Sequence, residues 1–356
     1  MVTASPPKTA SPNNRFDALR LLFASLVVIG HLTLLPDLHR GTPFETFGAR
    51  LAEYAVRGFF VISGALVYGS FLRSASLSDY AEKRIRRLAP AYTAIILIPT
   101  LIASLLIISL GQWRDFANIA QYFAANMIFL NFLHPELPGL FAGHRFQAVN
   151  GSLWTIKIEV MFYAALPVIA FMLGRFKPAG SLALLGILYI AGEAWRMVFE
   201  HLYVTENRYF WLQVALQLPG QIAYFACGMA LWIYRHHVKK HLSLWGALGL
   251  SLFIACESLG LAFLLPAALT GLIAFAAWAP GPVLNATRWG DLSYGVYIVH
   301  YPIIQTLIAF GLFEQNYVAA CALTIALVII SALAMWRFVE RPFLRQDSHY
   351  RRSEIS

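Results

Sequence analysis

Charged side chains are scarce in this sequence. Asp, Glu, Lys and Arg together make up 13% of its 356 residues, whereas hydrophobic residues make up 59%. About a quarter of the residues are charged in an ordinary soluble domain, so this composition excludes that class. The mean hydropathy of +0.62 agrees with this, and we interpret the chain as an integral membrane protein.

Cysteine is also rare. The three cysteines, Cys227, Cys256 and Cys321, all lie in apolar runs. Their spacing fits neither a metal site nor a disulfide framework. We therefore interpret them as small core residues and predict no metal site.

Acidic residues are outnumbered by basic ones, 18 to 27, which gives a formal net charge of +9. The basic residues cluster in short stretches beside apolar segments, as the positive-inside rule describes. This pattern indicates contact with membrane lipid and excludes a nucleic-acid partner. Residues 1–14 lack the basic start and apolar core of a signal peptide, and we predict a disordered cytoplasmic tail there.

Apolar runs long enough to cross a membrane, about 17 to 25 residues, recur along the chain. The run from 242 to 279 is too long for one crossing, and we divide it near Ser258 and Gly260 into a tight hairpin. The sequence thus predicts an all-α, polytopic bundle of about ten transmembrane helices, near residues 16–36, 51–72, 88–110, 153–174, 181–199, 209–234, 242–258, 259–279, 291–312 and 317–338.

The basic stretches set the predicted orientation. A further apolar segment, 117–133, would break the alternation of crossings if it also crossed, so we predict a re-entrant or interfacial segment there. Both termini are then cytoplasmic, with a membrane domain over 15–342 and a basic cytoplasmic tail over 343–356. The positive-inside rule places four basic stretches in the cytoplasm: 73–87, 175–177, 235–241 and the tail from Arg337.

Two ionisable groups lie in the first apolar run. Arg20 and His31 are eleven residues apart, which places them on one helical face, roughly 16 Å apart along the axis. Asp17 lies one turn before Arg20, close enough to pair with it. In one interpretation Arg20 extends to the headgroups and His31 makes a structural hydrogen bond. In the other, the depth of His31 indicates a functional site, where burial favours the neutral form that can act as a base.

Polar residues also occur in later apolar runs. Ser293, Tyr297 and His300 follow at spacings of four and three, which places them on one helical face. Such a stripe either holds helices together by hydrogen bonds or forms part of a site. Glu159 would be costly unpaired, so we expect a His or Arg partner from a neighbouring helix. Lys157, on another face, should extend outward.

The stretch "EKRIRRLAP" concentrates basic residues in one predicted cytoplasmic connection. It is either a topology determinant and contact for anionic lipid, or a clamp for the phosphates of a cytosolic cofactor, for which arginine offers planar bidentate geometry. The residues concerned are Lys83, Arg84, Arg86 and Arg87.

From about Arg15 to Pro342 the chain resembles membrane-bound acyltransferase family 3, whose bacterial members O-acylate glycans. "RFDALRLLFASLVVIGH" resembles the first helix of that family, and Arg84 and Arg87 match its cytoplasmic Arg-x-x-Arg motif. "FFVISGALV", "SLWTIKIEVMFY", "LSYGVYIVHYP" and "FVERP" resemble its further motifs. The matching residues in these motifs include Phe59, Phe60, Ser63, Gly64, Trp154, Glu159, Tyr163, Ser293, Tyr297 and His300.

The resemblance implies an O-acyltransferase of the bacterial inner membrane. The expected reaction transfers an acyl group, usually acetyl from acetyl-CoA, to a hydroxyl of an envelope or exported glycan. The expected partners are therefore an acyl-CoA donor, a glycan or glycolipid acceptor and membrane lipid, without a metal.

The candidate residues then take hypothetical roles. His31 is the base that takes the proton of the acceptor hydroxyl, and Arg20, oriented by Asp17, holds the acyl donor. Glu159 and His300 orient the acceptor or His31. Predicted cofactor-binding residues are Lys83, Arg84, Arg86, Arg87 and Ser63, and predicted substrate-binding or orienting residues are Asp17, Trp154, Tyr163, Ser293 and Tyr297.

Two alternatives stay open at this point. Within the same enzyme class, a covalent acyl-His31 intermediate would carry the acyl group between donor and acceptor. From another class, a transporter or flippase for a glycan or lipid-linked precursor would also bury Arg, His and Glu in the membrane. A transporter would be expected to show internal repeats with interrupted helices, and no convincing repeat relates the two halves of the sequence.

Overall fold

The computed structural model describes residues 15–281, 284, 286, 290–346 and 348. Helices dominate these residues, and no strand occurs among them. The predicted tail at 1–14 lies outside the described residues, as do 347 and 349–356 of the second predicted tail.

Fifteen α-helices, numbered in chain order, make up the described part of the chain. Two 3₁₀ turns, Trp113–Asp115 and Ala262–Leu264, precede α4 and α11, and a π-helical stretch, Met335–Glu340, joins α14 to α15. The helices are α1 Phe16–Leu34, α2 Pro43–Leu72, α3 Leu77–Leu110, α4 Phe116–Met127, α5 Leu153–Arg175, α6 Pro178–Glu206, α7 Tyr209–Ala215, α8 Leu218–Ile233, α9 Arg235–Lys240, α10 Leu242–Leu259, α11 Leu265–Trp278, α12 Leu292–Ala309, α13 Leu312–Gln315, α14 Tyr317–Ala334 and α15 Arg341–Phe343.

Nine helices among the described residues are long and apolar enough to cross a membrane. In that number α7 and α8 form one helical crossing, and α14 continues through the π-helical stretch into α15. A shorter apolar helix, Ala262–Trp278, corresponds to the predicted crossing at 259–279. The predicted fold class, a polytopic all-α membrane bundle, is confirmed.

The helix α4 is too short to cross a membrane. Its 12 residues extend about 18 Å, against a hydrocarbon core of about 30 Å. Near its end, the carbonyl of Asn126 accepts a hydrogen bond of 2.8 Å from the hydroxyl of Tyr92, which lies in the middle of α3. We therefore do not count α4 as a crossing, in agreement with the prediction of a re-entrant or interfacial segment at 117–133.

The helices α1 and α12 run in the same direction. Arg20, in the first half of α1, contacts Asp291 just before α12 begins, and His31, near the end of α1, contacts His300 further along α12. Parallel helices in a membrane require an odd number of crossings between them. With α4 left out, the seven crossings between α1 and α12 include α11, so the short helix completes the ten predicted crossings.

The two ends of the bundle differ in character. We call the end where α2 ends and α3 begins the basic end, because Arg73, Arg84 and Arg235 lie there. The opposite end, which we call the loop end, carries the irregular segment 128–152. That segment is tied to α12 by a 3.0 Å hydrogen bond from the Gln305 amide to the carbonyl of Ala148.

Glycine allows α2 and α8 to approach closely in the centre of the bundle. A Cβ atom on Gly228 would lie 2.1 Å from the carbonyl oxygen of Val61, and one on Gly64 would lie 2.3 Å from that of Phe225. Small residues are typical where membrane helices pack backbone to backbone. The contact fixes the face of α2 that Ser63 presents, one residue before Gly64.

Candidate active site

Asp291 organises the basic side of the site from the start of α12. One of its carboxylate oxygens accepts hydrogen bonds from Arg20 at 2.7 Å and from Arg87 at 2.6 Å. Its other oxygen accepts from the backbone N–H and the hydroxyl of Ser293, at 3.2 and 2.5 Å. Asp291 is therefore both the N-cap of α12 and the bridge between two arginines from α1 and α3.

The structure explains why a glycine precedes Asp291. Gly290 has a φ of 103°, and a Cβ atom there would lie 2.0 Å from the indole nitrogen of Trp336. Trp336 belongs to the π-helical stretch that ends α14. The turn into α12 thus depends on glycine both for its backbone angle and for its packing.

The main partner of Arg20 differs from the expected one. Asp17 lies 4.0 Å from the Arg20 guanidinium, whereas Asp291 lies 2.7 Å away. The closer contact comes from α12, 271 residues along the chain, so local helix spacing could not reveal it. Asp17 contributes at the edge of the pair rather than as its principal carboxylate.

Arg87 lies inside the bundle, not at its surface. It is 5% exposed, and its guanidinium bonds to Asp291 and to Glu340 and lies over the Tyr294 ring at 5.2 Å. Glu340 is 1% exposed and comes from the π-helical stretch. Arg87, which was predicted to bind cofactor phosphates at a cytoplasmic mouth, therefore joins α3 to α12 and to the end of α14.

A narrow cavity of about 50 Å³ opens between α1, α2, α5 and α12. It brings together five residues that the sequence singled out separately, and apolar side chains complete its wall, among them Val56, Phe59 and Phe60. The predicted residues that line it are Arg20, Ser63, Glu159, Ser293 and Tyr297.

Glu159 has hydroxyl partners. Its carboxylate accepts hydrogen bonds from Ser63, at 3.1 Å, and from Tyr163. The expected partner, a histidine or arginine from a neighbouring helix, is therefore wrong for the hydrogen bonds found in the described residues. Two hydroxyls satisfy one carboxylate oxygen and leave the carboxylate facing the same cavity as the Arg20 guanidinium.

Tyr297 links this cavity to a histidine pair. Its hydroxyl lies 2.7 Å from that of Thr155, another residue of the cavity wall. On its other side, its ring lies 5.9 Å from the His300 ring. The stripe of Ser293, Tyr297 and His300 thus leads along α12 from the cavity to His31.

His31 and His300 form a hydrogen-bonded pair. Nδ1 of His31 lies 2.8 Å from Nε2 of His300, and the rings stack with centroids 4.9 Å apart and planes 22° apart. His300 is fully buried. Because Arg20 and His31 both contact α12, they share one face of α1, as the helical phase predicted.

We assign the proton positions in this pair from its hydrogen-bond partners. Nδ1 of His300 lies 3.3 Å from the carbonyl oxygen of Val296, which can only accept, so this nitrogen carries the proton. Nε2 of a neutral His300 then accepts from the Nδ1–H of His31. This leaves Nε2 of His31 with its lone pair, and that atom forms no hydrogen bond within the described part of the chain.

Segment 128–152 covers the histidine pair from the loop end. The Asn150 amide donates a 2.8 Å hydrogen bond to the carbonyl of Ile298. A Cβ atom on Gly151 would lie 2.7 Å from the Tyr301 ring, which in turn packs edge-on against His31 at 5.3 Å. Asn150 and Gln305 belong to this support and were not predicted, although Gln305 is a polar amide inside an apolar run, which is a readable signal.

The remaining predicted residues lie apart from the cavity. Trp154 packs edge-on against Phe60, with ring centroids 6.5 Å apart. The ammonium of Lys157, which was expected to extend outward, lies 4.4 Å from the centre of the Phe132 ring and is 9% exposed. Phe132 belongs to segment 128–152, so Lys157 turns toward the loop end but is buried there.

The predicted cofactor-binding cations are held in different ways. Lys83 pairs with Asp79 at 2.6 Å, and Arg86 with Glu82 at 2.7 Å. Arg84 donates a 3.1 Å hydrogen bond to the hydroxyl of Ser70 and lies 5.7 Å from the centre of the Tyr163 ring.

The chain is similar to several known proteins. The chain is 29% identical to nodulation protein 10 of Rhizobium leguminosarum bv. viciae over 93% of both chains. It is 27% identical to an O-acetyl transferase of Shigella phage Sf6, over 94% of this chain and 97% of that one. It is 25% identical to the O-acetyltransferase OatA of Staphylococcus aureus strain NCTC 8325 over 81% of this chain, but covers only 52% of OatA. No solved structure matches.

A family model agrees with these relatives. Residues 13–336 match the model of an acyltransferase domain, that of acyltransferase family 3. The match contains both ends of the site, from Arg20 and Asp291 to His31 and His300, and ends shortly before Glu340. The chain belongs to acyltransferase family 3.

Proposed function

We propose that this protein transfers an acetyl group from acetyl-CoA to a hydroxyl of a cell-envelope or exported glycan, in the inner membrane of a bacterium. The observation that carries the proposal is the hydrogen-bonded pair of His31 and His300 at the loop end of the bundle, in which we assign the lone pair to Nε2 of His31. The names of two relatives, which are O-acetyltransferases, support acetyl as the group transferred.

His31 supplies the base that this reaction needs. A sugar hydroxyl is a poor nucleophile at neutral pH, and a positioned base accelerates its attack. The Nε2 atom of His31 takes the proton of the acceptor hydroxyl as its oxygen attacks the acyl carbonyl. The same nitrogen then gives a proton to the departing sulfur, so the histidine returns to its starting state.

His300 acts as a positioning residue. By accepting from the Nδ1–H of His31, it fixes both the tautomer and the ring orientation of the base. His300 also stabilises the positive charge that His31 gains when Nε2 takes a proton, because the hydrogen bond between the two rings strengthens when its donor becomes cationic.

The residues of the basic end fit the acyl donor. Acetyl-CoA supplies the acetyl group as a thioester. Nε of Arg84 is buried without a hydrogen-bond partner in the described residues, and an unsatisfied guanidinium donor suits a phosphate oxygen. Arg84 would hold the donor at the basic end, which we place in the cytoplasm because Arg and Lys favour that side.

The cavity connects these two parts of the site. Arg84 lies over Tyr163, whose hydroxyl donates to Glu159 on the cavity wall. Tyr297 continues from the cavity wall to His300. The proposed path of the acetyl group follows these polar side chains from the basic end to the loop end, where the acceptor approaches.

The test is glycan analysis of cells that express wild-type protein or His31→Ala. Removing the base should lower the rate of acetylation about 10²- to 10⁴-fold. His201→Ala is the matched control, because His201 is an exposed histidine on α6 and should leave acetylation unchanged.

Protein abundance must be measured alongside acetylation. Protein abundance in membranes must be equal among the variants, so that lost acetylation reports chemistry and not folding. Unchanged acetylation with abundant His31→Ala protein would remove His31 from the proposal. Wild-type cells with no added acetyl groups on any glycan would contradict the proposed function itself.

A further inference from the structure

Three arginines meet at the basic end around one tryptophan. The guanidinium carbon of Arg73 lies 5.2 Å from the centre of the Trp232 ring, and that of Arg235 lies 4.8 Å from it. Arg84, which belongs to α3, lies beside the last turn of α2, where it donates a hydrogen bond to Ser70. One indole therefore brings two guanidiniums close together, with a third beside them.

The last turn of α2 builds this cluster. A Cβ atom on Gly69 would lie 2.4 Å from the Trp232 ring, so glycine lets the indole of α8 lie directly on α2. Ser70, the next residue, receives Arg84 from α3, and Arg73 follows as the C-cap of the same helix. Three parts of the fold, the end of α2, the first half of α3 and the junction of α8 with α9, thus place cations at one point.

Within the described part of the chain this cluster lacks acidic partners, unlike the cations beside it. Lys83 and Arg345 pair with Asp79, and Arg86 pairs with Glu82. Among the described residues, no carboxylate lies within 4.0 Å of Arg73, Arg84 or Arg235. The described residues thus pair the neighbouring cations with carboxylates but leave the positive charge of this cluster uncompensated.

The three charges affect one another. Burial, and then the positive charges of Arg235 and Arg84, lower the pKa of Arg73. Arg84 also has a buried Nε donor without a partner. Like charges held together by the fold are unfavourable unless an anion neutralises them, and guanidiniums bind phosphate oxygens with two parallel hydrogen bonds.

We propose that Arg73, Arg84 and Arg235 form the site for the phosphate groups of the acyl donor. This inference rests on the proposed function, and it replaces three of the residues suggested by sequence, Lys83, Arg86 and Arg87, with two others, Arg73 and Arg235. The cluster adjoins the cavity through Arg84, Tyr163 and Glu159, so phosphates bound there leave the acyl end free to enter the cavity.

The test compares two donors with the same thioester. Acetyl-CoA carries the phosphates, whereas acetyl-pantetheine carries none. In wild-type protein reconstituted in neutral lipid, KM for acetyl-CoA should be much lower than for acetyl-pantetheine. In the double variant Arg73→Gln, Arg235→Gln, KM for acetyl-CoA should rise about tenfold or more, while KM for acetyl-pantetheine and kcat stay close to wild type.

A matched control separates this site from general charge. Arg175→Gln removes a cation from the same end, where Arg175 stacks on Phe171 at 4.2 Å outside the cluster. It should leave both KM values unchanged. A second measurement is independent of turnover: isothermal titration of CoA should show tight binding to wild type and to Arg175→Gln, and at least about tenfold weaker binding to the double variant.

Three outcomes would overturn the inference. The first is a double variant that melts at the wild-type temperature and keeps its full preference for acetyl-CoA. The second is a double variant that keeps this preference and loses only its response to anionic lipid vesicles, in which case the cluster binds lipid headgroups. An equal loss in Arg175→Gln would indicate nonspecific charge. In each case wild-type acetyl transfer would still stand, whereas wild type without transfer would contradict the proposed function.

Discussion

His31 and His300 face each other across the interface of α1 and α12, with Nδ1 of His31 2.8 Å from Nε2 of His300. The contact joins a half-buried histidine to one that is fully buried. Because one nitrogen must donate and the other accept, the pair cannot carry two full imidazolium charges and keep this hydrogen bond.

The first prediction separates hydrogen bonding from packing at His300. His300→Gln keeps an acceptor at roughly the position of Nε2, whereas His300→Leu removes it. We expect kcat to fall about tenfold or less in His300→Gln and about 100-fold in His300→Leu, with KM for acetyl-CoA unchanged in both. Steady-state kinetics on purified protein give both values. Equal losses in the two variants would show that His300 serves packing alone.

A second prediction concerns the ion pairs of Asp291. Asp291→Asn would remove the carboxylate that the partly buried Arg20 and the buried Arg87 share. Breaking a buried ion pair costs about 3–5 kcal/mol, so we expect a much lower melting temperature in detergent and lower abundance in membranes. Arg86→Gln breaks an exposed pair with Glu82, and it should change stability by less than about 0.5 kcal/mol. Similar melting temperatures for both variants would contradict this.

The third prediction concerns the close contact of α2 and α8. In Gly228→Ala the new Cβ would lie 2.1 Å from the carbonyl oxygen of Val61, and relieving such overpacking costs about 1–3 kcal/mol. Gly186→Ala is the control of opposite sign, since nothing lies within 4 Å of its Cβ and alanine favours a helix by up to about 1 kcal/mol. Thermal melting should rank Gly186→Ala at or above wild type and Gly228→Ala below it.

The sequence predicts the membrane part of this fold well because apolar length is a local property. The short helix α4 followed from the alternation of charges, which needs no knowledge of packing. Helix starts were placed less well: α2 and α3 begin well before the predicted 51 and 88. Their polar first turns have readable caps, with Thr42 accepting from Glu45 N–H and Ser76 accepting from Asp79 N–H, a spacing typical of helix N-termini.

The site was harder to predict than the helices. Helical phase placed Arg20 and His31 on one face, because it depends on neighbours in sequence. The carboxylates that hold Arg20 and Arg87 come from Asp291 and Glu340, 204 to 271 residues away along the chain. Such pairing depends on which helices meet. The two arginines of the Arg-x-x-Arg motif therefore looked equivalent in sequence, although Arg87 is buried and Arg84 is only partly buried.

A fourth prediction tests the orientation of the bundle. In a variant without native cysteines, a single cysteine replaces Gln112 or Ala142 at the loop end, or Ala75 at the basic end, all exposed positions. If the basic end is cytoplasmic, a membrane-impermeant maleimide should label the first two in intact spheroplasts and the third only after lysis. Labelling of all three from one side, or the reverse pattern, would contradict the proposed orientation.

The last prediction distinguishes direct transfer from an acyl-His31 intermediate. As a general base, His31 takes a proton only when the acceptor hydroxyl is present, so acetyl-CoA alone should leave no acetyl group on the protein. As a nucleophile, Nε2 would instead be acetylated before the acceptor arrives. Purified protein is incubated with radiolabelled acetyl-CoA, quenched within milliseconds to seconds and examined by gel and mass spectrometry. We expect no more label on wild type than on His31→Ala. Label on the His31 peptide that is released when acceptor is added would establish the covalent route and assign His31 the role of nucleophile.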